Sequence, residues 1–318
     1  MRSFLVLSLW QNPRMGTFLA LVLPVLLASA ADIPPGARAT GTMRHDGVER
    51  TWHLFKPEGG AWPRPVLFAL HGGGGTGKGF ITHVDYRLDR AAAEAGFAVV
   101  YPEGVKKAWN DGRGIGSKAD DHGFLSALAD RLVKDGVADP RRLYAAGISN
   151  GGFMSHALAC RDAGRWAAIG ALVTSMGEAV AADCKPVRPV SVLMINGTED
   201  RLIPWDGREV KLLGRSRGRK LTVPETAAKW AALNGCSGEP VREDLPDAAD
   251  DGTRWSLEAR RNCRDGSEVL LYKVAGGGHT WPNAEVYLPR VVGRTSRDVA
   301  FEPLLFAFLK RHSLPEAK

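Results

Sequence analysis

The stretch Leu143-Tyr144-Ala145-Ala146-Gly147-Ile148-Ser149-Asn150-Gly151-Gly152-Phe153-Met154-Ser155-His156-Ala157-Leu158 passes from an apolar run, through G-x-S-x-G, into a helix-compatible segment. A serine between glycines at a strand-to-helix junction has the context of a nucleophile elbow, where the hydroxyl is pushed into the open. Glycine on both sides is expected to let the backbone take the strained turn without Cβ clashes. The same pentapeptide also arises at purely structural turns, so its surroundings decide its reading.

A serine nucleophile needs a base for its proton, an acid to hold the base in the right tautomer, and donors for the oxyanion. Upstream, the apolar run at residues 66–70 leads directly into His71-Gly72-Gly73-Gly74-Gly75. This has the form of an HGGG-type oxyanion loop, in which N–H of Gly72 or Gly73 would join that of Asn150 at the developing charge. Downstream, the apolar run 190–195 ends in Asn196-Gly197-Thr198-Glu199-Asp200. Functional groups of parallel sheets sit at strand carboxyl ends, which makes Asp200 the candidate acid, with Glu199 and Asp206 as rivals. Finally, the run 269–274 precedes Ala275-Gly276-Gly277-Gly278-His279-Thr280-Trp281-Pro282. His279 completes the chain order Ser, Asp, His. His45, His53, His83, His122, His156 and His312 read as surface or satisfied core residues.

These motifs together resemble the secreted esterase family that unites polyhydroxybutyrate depolymerases with feruloyl and acetylxylan esterases. The resemblance runs from about residue 39 to 312 and is carried by Leu70-His71-Gly72, Trp109-Asn110, Asp120-Asp121-His122-Gly123-Phe124 and residues 147–160. It continues through residues 196–200 and 203–207, Asn234-Gly235-Cys236, and Gly278 to Pro282. It implies an α/β-hydrolase fold, Ser149 as nucleophile with Asp200 and His279 as partners, and an ester substrate. In two places the chain departs from the family: Asp111-Gly112-Arg113-Gly114 follows Trp109-Asn110 where a cysteine-containing segment is common, and Asn283 follows Trp-Pro where glycine is common. The substrate pocket is therefore expected to differ from that of relatives.

The coarse pattern is a hairpin at residues 39–44 and 50–56, then alternating strands and helices. Strands are predicted at 66–70, 97–101, 143–147, 168–173, 190–195 and 269–274, and helices at 86–95, 124–135, 151–160, 223–233 and 299–311. Such alternation implies an α/β class, a doubly wound, mostly parallel sheet with helices on both faces. Residues 205–221 are polar and basic and read as a loop excursion near the pocket. Trp109, Trp205 and Trp281 are candidates to line that pocket. Asp121 reads as a brace or cap for the helix beginning near Gly123.

Residues 16–27 are apolar but short, with Arg2 and Arg14 before them and Ala28-Ser29-Ala30 after. This is the pattern of a secretory signal cleaved after Ala30, leaving residues 31–318 as a single catalytic domain in the periplasm or outside the cell, with no stable membrane anchor. The long lead-in admits Met15 as the initiator. The formal charge of +7 falls to +5 when the two leader arginines are removed. The local excess of cations is Arg208, Lys211, Arg215, Arg217, Arg219 and Lys220, without the interleaved aromatics of a nucleic-acid surface. Four cysteines in an exported chain permit two disulfides; of three connectivities, Cys160–Cys184 and Cys236–Cys263 are favoured. No spacing suggests a metal, and the chemistry needs no cofactor.

The expected substrates are small esters, polyester oligomers, or feruloyl and acetyl esters of polysaccharide. The chain ends soon after Phe306-Ala307-Phe308-Leu309 with no low-complexity linker to a polymer-binding module, which favours soluble esters or oligomers. A peptidase of the same fold and a non-catalytic binding protein are the competing readings. Oligomeric state is not readable.

Overall fold

The computed structural model of the chain describes residues 30, 36–212, 215–285 and 288–316. The expected hairpin forms as β1 (Arg38–His45) and β2 (Val48–Phe55), turning at Asp46 and Gly47, both at positive φ. Next come β3 (Arg64–Leu70), α1 (Gly77–His83), α2 (Arg87–Ala95), β4 (Ala98–Pro102), α3 (Asp121–Lys134), β5 (Ala138–Ile148), α4 (Asn150–Arg161) and β6 (Ala168–Leu172). The second half contributes α5 (Glu178–Asp183), β7 (Ser191–Gly197), β8 (Glu209–Leu212), β9 (Arg215–Arg219), α6 (Val223–Leu233), β10 (Val241–Asp244), β11 (Arg254–Arg260), β12 (Val269–Ala275), α7 (Pro289–Val292) and α8 (Phe301–Lys310).

Ten strands form one sheet in the order β1-β2-β4-β3-β5-β6-β7-β12-β11-β10, and β8 and β9 form a separate ribbon. The central strands from β4 to β12 pair in parallel, while β1, β2, β11 and β10 attach antiparallel at the two edges. Central parallel strands are covered on both faces, which is why they read as unbroken apolar runs. In β3 the alternation is explicit. Val66, Phe68 and Leu70 enter one core with α3, α4 and α6, whereas Leu67 and Ala69 enter a second core with α1, α2 and α8. The sheet is thus doubly wound as expected, an α/β-hydrolase architecture.

Four strands have no counterpart in the expectations. β11 buries Trp255, Leu257 and Ala259 on one face, a period-2 signal that is only three apolar residues long and alternates with Arg254, Ser256, Glu258 and Arg260. β10 is exposed throughout its length Val-Arg-Glu-Asp, and β9 reads Arg-Ser-Arg-Gly-Arg, so neither carries an apolar pattern. The excursion expected at 205–221 is therefore partly ordered as the β8–β9 ribbon.

Disulfides join Cys160 at the end of α4 to Cys184 after α5, and Cys236 after α6 to Cys263 after β11. They span 24 and 27 residues, for which loop-closure entropy gives about 3 kcal/mol each in the chain-entropy account. His156, on α4, accepts the Trp230 indole N–H at Nδ1 (3.0 Å), and burial drives its pKa down to about 3, so it is a neutral core residue. The expected signal segment lies outside the described residues except for Ala30, whose N–H donates to Asp135 Oδ2 (3.0 Å). Among the described residues no helix is long and apolar enough to cross a membrane.

Candidate active site

Ser149 stands between β5 and α4 at φ 55° and ψ −118°, a conformation that L-residues rarely adopt. Its N–H donates to the Leu172 carbonyl (2.9 Å), tying the turn to the neighbouring strand. The strain of the turn is carried by the serine itself. The glycines leave space, as expected: a Cβ on Gly151 would lie 2.2 Å from the Leu70 carbonyl oxygen, and one on Gly147 2.4 Å from the Gly151 carbonyl carbon. Next to them, a Cβ on Gly152 would meet Thr174 Cγ2 at 2.5 Å. The start of α4 is thereby packed against the ends of β3 and β6.

The glycine loop after β3 reaches the same turn. Cβ positions built on Gly72 and Gly73 fall 3.6 Å from the Cβ atoms of Ser149 and Asn150 respectively. His71 fixes this loop. It is buried, its Nε2 accepts the Gly104 N–H (3.0 Å), and its Nδ1 therefore carries the proton donated to the Gly72 carbonyl (2.8 Å). Burial lowers its pKa, in keeping with a neutral ring. The Gly74 N–H is spent on the Lys107 carbonyl and that of Gly75 on Gly72. Beside the loop, a cavity of about 500 Å³ is bounded by Gly72 to Gly75, Phe80, His83, Lys107 and Ile148.

Asp200 follows β7 and His279 follows β12, which are adjacent parallel strands. His279 Nδ1 lies 2.7 Å from Asp200 Oδ2, while Asp200 Oδ1 accepts the N–H groups of Leu202 (2.9 Å) and Ile203 (2.8 Å). Both residues are only 4% exposed. The two loops approach because glycine stands where they touch: a Cβ on Gly197 would be 2.2 Å from the Gly277 carbonyl oxygen. The rival acids face solvent, Glu199 pairing with Arg294 (3.4 Å) and Asp206 lying exposed. Ile148, Leu172, Ile195 and Tyr272 are in register across β5, β6, β7 and β12. The serine turn, the acid and the histidine thus leave the sheet on one side. Among the described residues no group of three or more His, Cys, Asp or Glu is placed to hold a metal ion.

Comparison with known proteins bears on the family and the fold. No family model matches the chain. A protein named as an esterase, NocK of Nocardia uniformis subsp. tsuyamanensis, is 33% identical over 292 residues, covering 86% of this chain and 84% of the relative. Feruloyl esterase C of Emericella nidulans is 30% identical over 203 residues, 59% of this chain and 72% of that enzyme. The chain belongs to this family of feruloyl and acetylxylan esterases. An acetyl xylan esterase from Aspergillus awamori shares the fold at TM-score 0.55 and 14% identity, over 76% of this chain and 94% of that one.

In this esterase two of the three tryptophans expected at the pocket are structural. Trp109 is 0% exposed, donates its indole N–H to the His71 carbonyl (2.9 Å), and through its backbone holds the Asn150 side chain at both ends. Trp281 is 1% exposed, packed edge-on between Phe80 and Phe301, with its N–H on Glu302 (2.8 Å). Two residues of sequence separation from His279 did not carry it to the same surface. Trp205 is half-buried, with Lys273 Nζ 5.6 Å from its ring centre. Asp121 braces as expected, accepting from Arg50 (2.6 Å) and the Asn110 N–H (2.6 Å), while Asp120 caps α3.

Sequence reading overlooked a buried group beneath the serine turn. Asp111 Oδ2 accepts from Asn150 Nδ2 (2.6 Å) and from Arg113 Nη2 (2.6 Å), and the Arg113 guanidinium lies 3.6 Å over the Phe153 ring. It missed Lys220 as well, which is 0% exposed and donates to the carbonyls of Pro204 (2.8 Å), Gly207 (2.6 Å) and Leu221 (3.2 Å). Burial pulls its pKa down to about 8, against the opposing pull of Asp200 and Asp206. Lys220 therefore pins the loop that follows Asp200. Lys220→Met leaves buried carbonyls without donors and is expected to lose about 2–4 kcal/mol in urea unfolding at pH 7. A loss below about 0.5 kcal/mol would contradict this role.

Glu103 braces the exit of the glycine loop by accepting the N–H groups of Gly77 (2.7 Å) and Lys78 (3.0 Å), with His53 Nε2 3.0 Å away. Burial pushes its pKa up, but these hydrogen bonds outweigh it and the net shift is downward. A lowered carboxyl pKa stabilises the fold above the ordinary value of 4.5, and that stabilisation is lost as pH falls through the folded value. Glu103→Gln is expected to be less stable by about 1 kcal/mol at pH 7, with the gap closing below pH 4.5. A pH-independent gap would show that the carboxylate charge has no part in it.

Proposed function

We propose that the chain is an exported serine carboxylic-ester hydrolase working through an acyl-enzyme. The observation that carries this reading is the positive-φ Ser149 set against Gly72, with the buried Asp200–His279 pair leaving the same side of the sheet. His279 Nδ1 is engaged by Asp200, which leaves Nε2 to take the Ser149 Oγ proton as Oγ attacks the ester carbonyl. Two backbone N–H groups on its second oxygen hold the Asp200 carboxylate in place, where it orients His279 and stabilises the imidazolium that forms.

The oxyanion falls to the first N–H of α4, that of Asn150, and to the N–H of Gly72 or Gly73. The leading N–H groups of a helix have no intrahelical acceptor, and the partial positive charge there favours an anion. Collapse of the tetrahedral intermediate expels the alcohol with the proton from His279. Water activated by the same histidine then frees the acid and restores Ser149.

Substrates are proposed to be feruloyl or acetyl esters of polysaccharide, small esters, or hydroxybutyrate-type oligomers, with the cavity lined by Phe80, Ile148 and the glycine loop taking an apolar or aromatic portion. The two disulfides support export, and residues 31–318 are proposed as one catalytic domain following a cleaved signal. Hydrolysis of p-nitrophenyl acetate and butyrate, methyl ferulate and 3-hydroxybutyrate oligomers tests the reading. Turnover is expected and will rank the acyl groups; no turnover of any of them by folded, disulfide-bonded protein would sink it.

A further inference from the structure

The excursion at residues 205–221, between β7 and α6, carries six cations, Arg208, Lys211, Arg215, Arg217, Arg219 and Lys220, against the carboxylates Asp206 and Glu209. Four have partners: Arg208 with Glu225, Lys211 with Glu209, Arg219 with Glu178, and Lys220 on its three carbonyls. Arg215 and Arg217 are exposed and have no ion-pair partner among the described residues. They stand two residues apart on the extended strand β9, whose sequence Arg-Ser-Arg-Gly-Arg offers no apolar side chain.

This ribbon is anchored to the serine turn. The Arg217 carbonyl accepts from Arg113 Nη1 (3.0 Å), Arg113 pairs with Asp111, and Asp111 holds the side chain of Asn150, the residue after Ser149. Val210 of β8 packs against Phe153 of α4. In the loop after β4, Lys106 and Lys107 are also exposed without an ion-pair partner among the described residues, and Lys107 borders the cavity beside the glycine loop. Exposed cations thus lie on the ribbon that packs against α4 and, at Lys107, beside the cavity at the glycine loop.

We infer that the ribbon β8–β9 holds an extended, carboxylate-bearing polysaccharide, so that the esterase acts on acyl groups carried by a uronate-containing polymer. Planar guanidiniums bind carboxylates through paired donors, and side chains two apart on a strand repeat at about 6–7 Å, a spacing suited to a chain with charges at intervals. A strand without apolar groups offers nothing to a hydrophobic partner but suits a hydrated polyanion. The inference rests on the esterase reading of Ser149 for its catalytic arm alone.

Binding is tested without catalysis by affinity electrophoresis of Ser149→Ala through gels containing polygalacturonate, neutral xylan or DNA. Catalysis is tested as the ratio of kcat/KM on acetylated glucuronoxylan to that on the same polymer after carboxyl reduction. The expected ratio is about tenfold at low salt, falling to about 1 in 0.5 M NaCl and in Arg215→Ser/Arg217→Ser, with retardation by polygalacturonate lost in parallel. A wild-type ratio near 1 at low salt, a ratio kept by the double variant, or retardation by DNA without retardation by polygalacturonate would overturn the inference. The salt titration uses the unmodified chain and so does not depend on the variant folding. Retardation by polygalacturonate together with no ester turnover would instead count against the reading of Ser149 while supporting the ribbon.

Discussion

Ser149→Ala is expected to lower kcat/KM for p-nitrophenyl acetate by about 10⁴- to 10⁶-fold while leaving the fold intact. The large loss follows from the role of Oγ as the atom that forms the acyl bond, for which neither the glycine loop nor the His279–Asp200 pair can substitute. Little change in stability is expected because alanine keeps the Cβ and the N–H bond to Leu172, the structural duties of this residue. Ser149→Gly sharpens the test. At φ 55° and ψ −118° the serine is strained and glycine is not, so this variant should be about 1 kcal/mol more stable than wild type and equally inactive. A strained residue whose relief raises stability and abolishes turnover is the signature of a functional site. Appreciable activity in either variant would remove Ser149 from the reaction.

The second large effect is expected at Asp111→Ala. Asp111 is fully buried and is engaged by Arg113 through Nε and Nη2 and by Asn150, with Arg113 itself nearly buried over Phe153. Removing one partner of such a pair leaves an uncompensated guanidinium in a low-dielectric setting, and losses of about 3–5 kcal/mol are typical. The deletion reaches the chemistry too. Asn150 loses an acceptor for its side chain, and its backbone N–H is a proposed oxyanion donor, so kcat should fall by about tenfold or more with a smaller change in KM. Asp111→Ala/Arg113→Met removes both charges and should recover more than half of the lost stability in urea unfolding. A double variant no more stable than the single one would show that packing rather than charge pairing sets the energetics here.

The sequence carried the central sheet plainly, because strands covered on both faces, such as residues 66–70 and 190–195, are apolar at nearly every position, Ser191 being the polar exception in the second. It carried the edges poorly. β10 and β9 are exposed and mostly polar, and β11 alternates correctly at Trp255, Leu257 and Ala259 but over only three apolar positions, with Ser256 and Glu258 between them. The proposed nucleophile, acid and base were legible because each sits just beyond an apolar strand, where the topology brings strand ends together. Their supports were not. Asp111, Arg113 and Lys220 sit in loops whose burial is set by tertiary packing, and no periodicity in the chain announces it. Trp281 illustrates the opposite error, since nearness to His279 along the chain suggested a shared pocket but the backbone turns the indole into the core between Phe80 and Phe301. The glycines of G-x-S-x-G were expected to spare the turn Cβ clashes, and the distances at Gly147 and Gly151 show that the absence of Cβ atoms is what matters there.

The central claim is that Ser149 forms the covalent intermediate. Its most direct test is to treat the folded, disulfide-bonded esterase with a serine-reactive fluorophosphonate and map the modified residue by peptide mass spectrometry as activity is followed. One adduct per chain, on Ser149, accumulating in step with loss of hydrolysis and missing from Ser149→Ala, is the predicted result. Full activity after stoichiometric labelling of Ser149, or inactivation with the adduct on another residue, would contradict it.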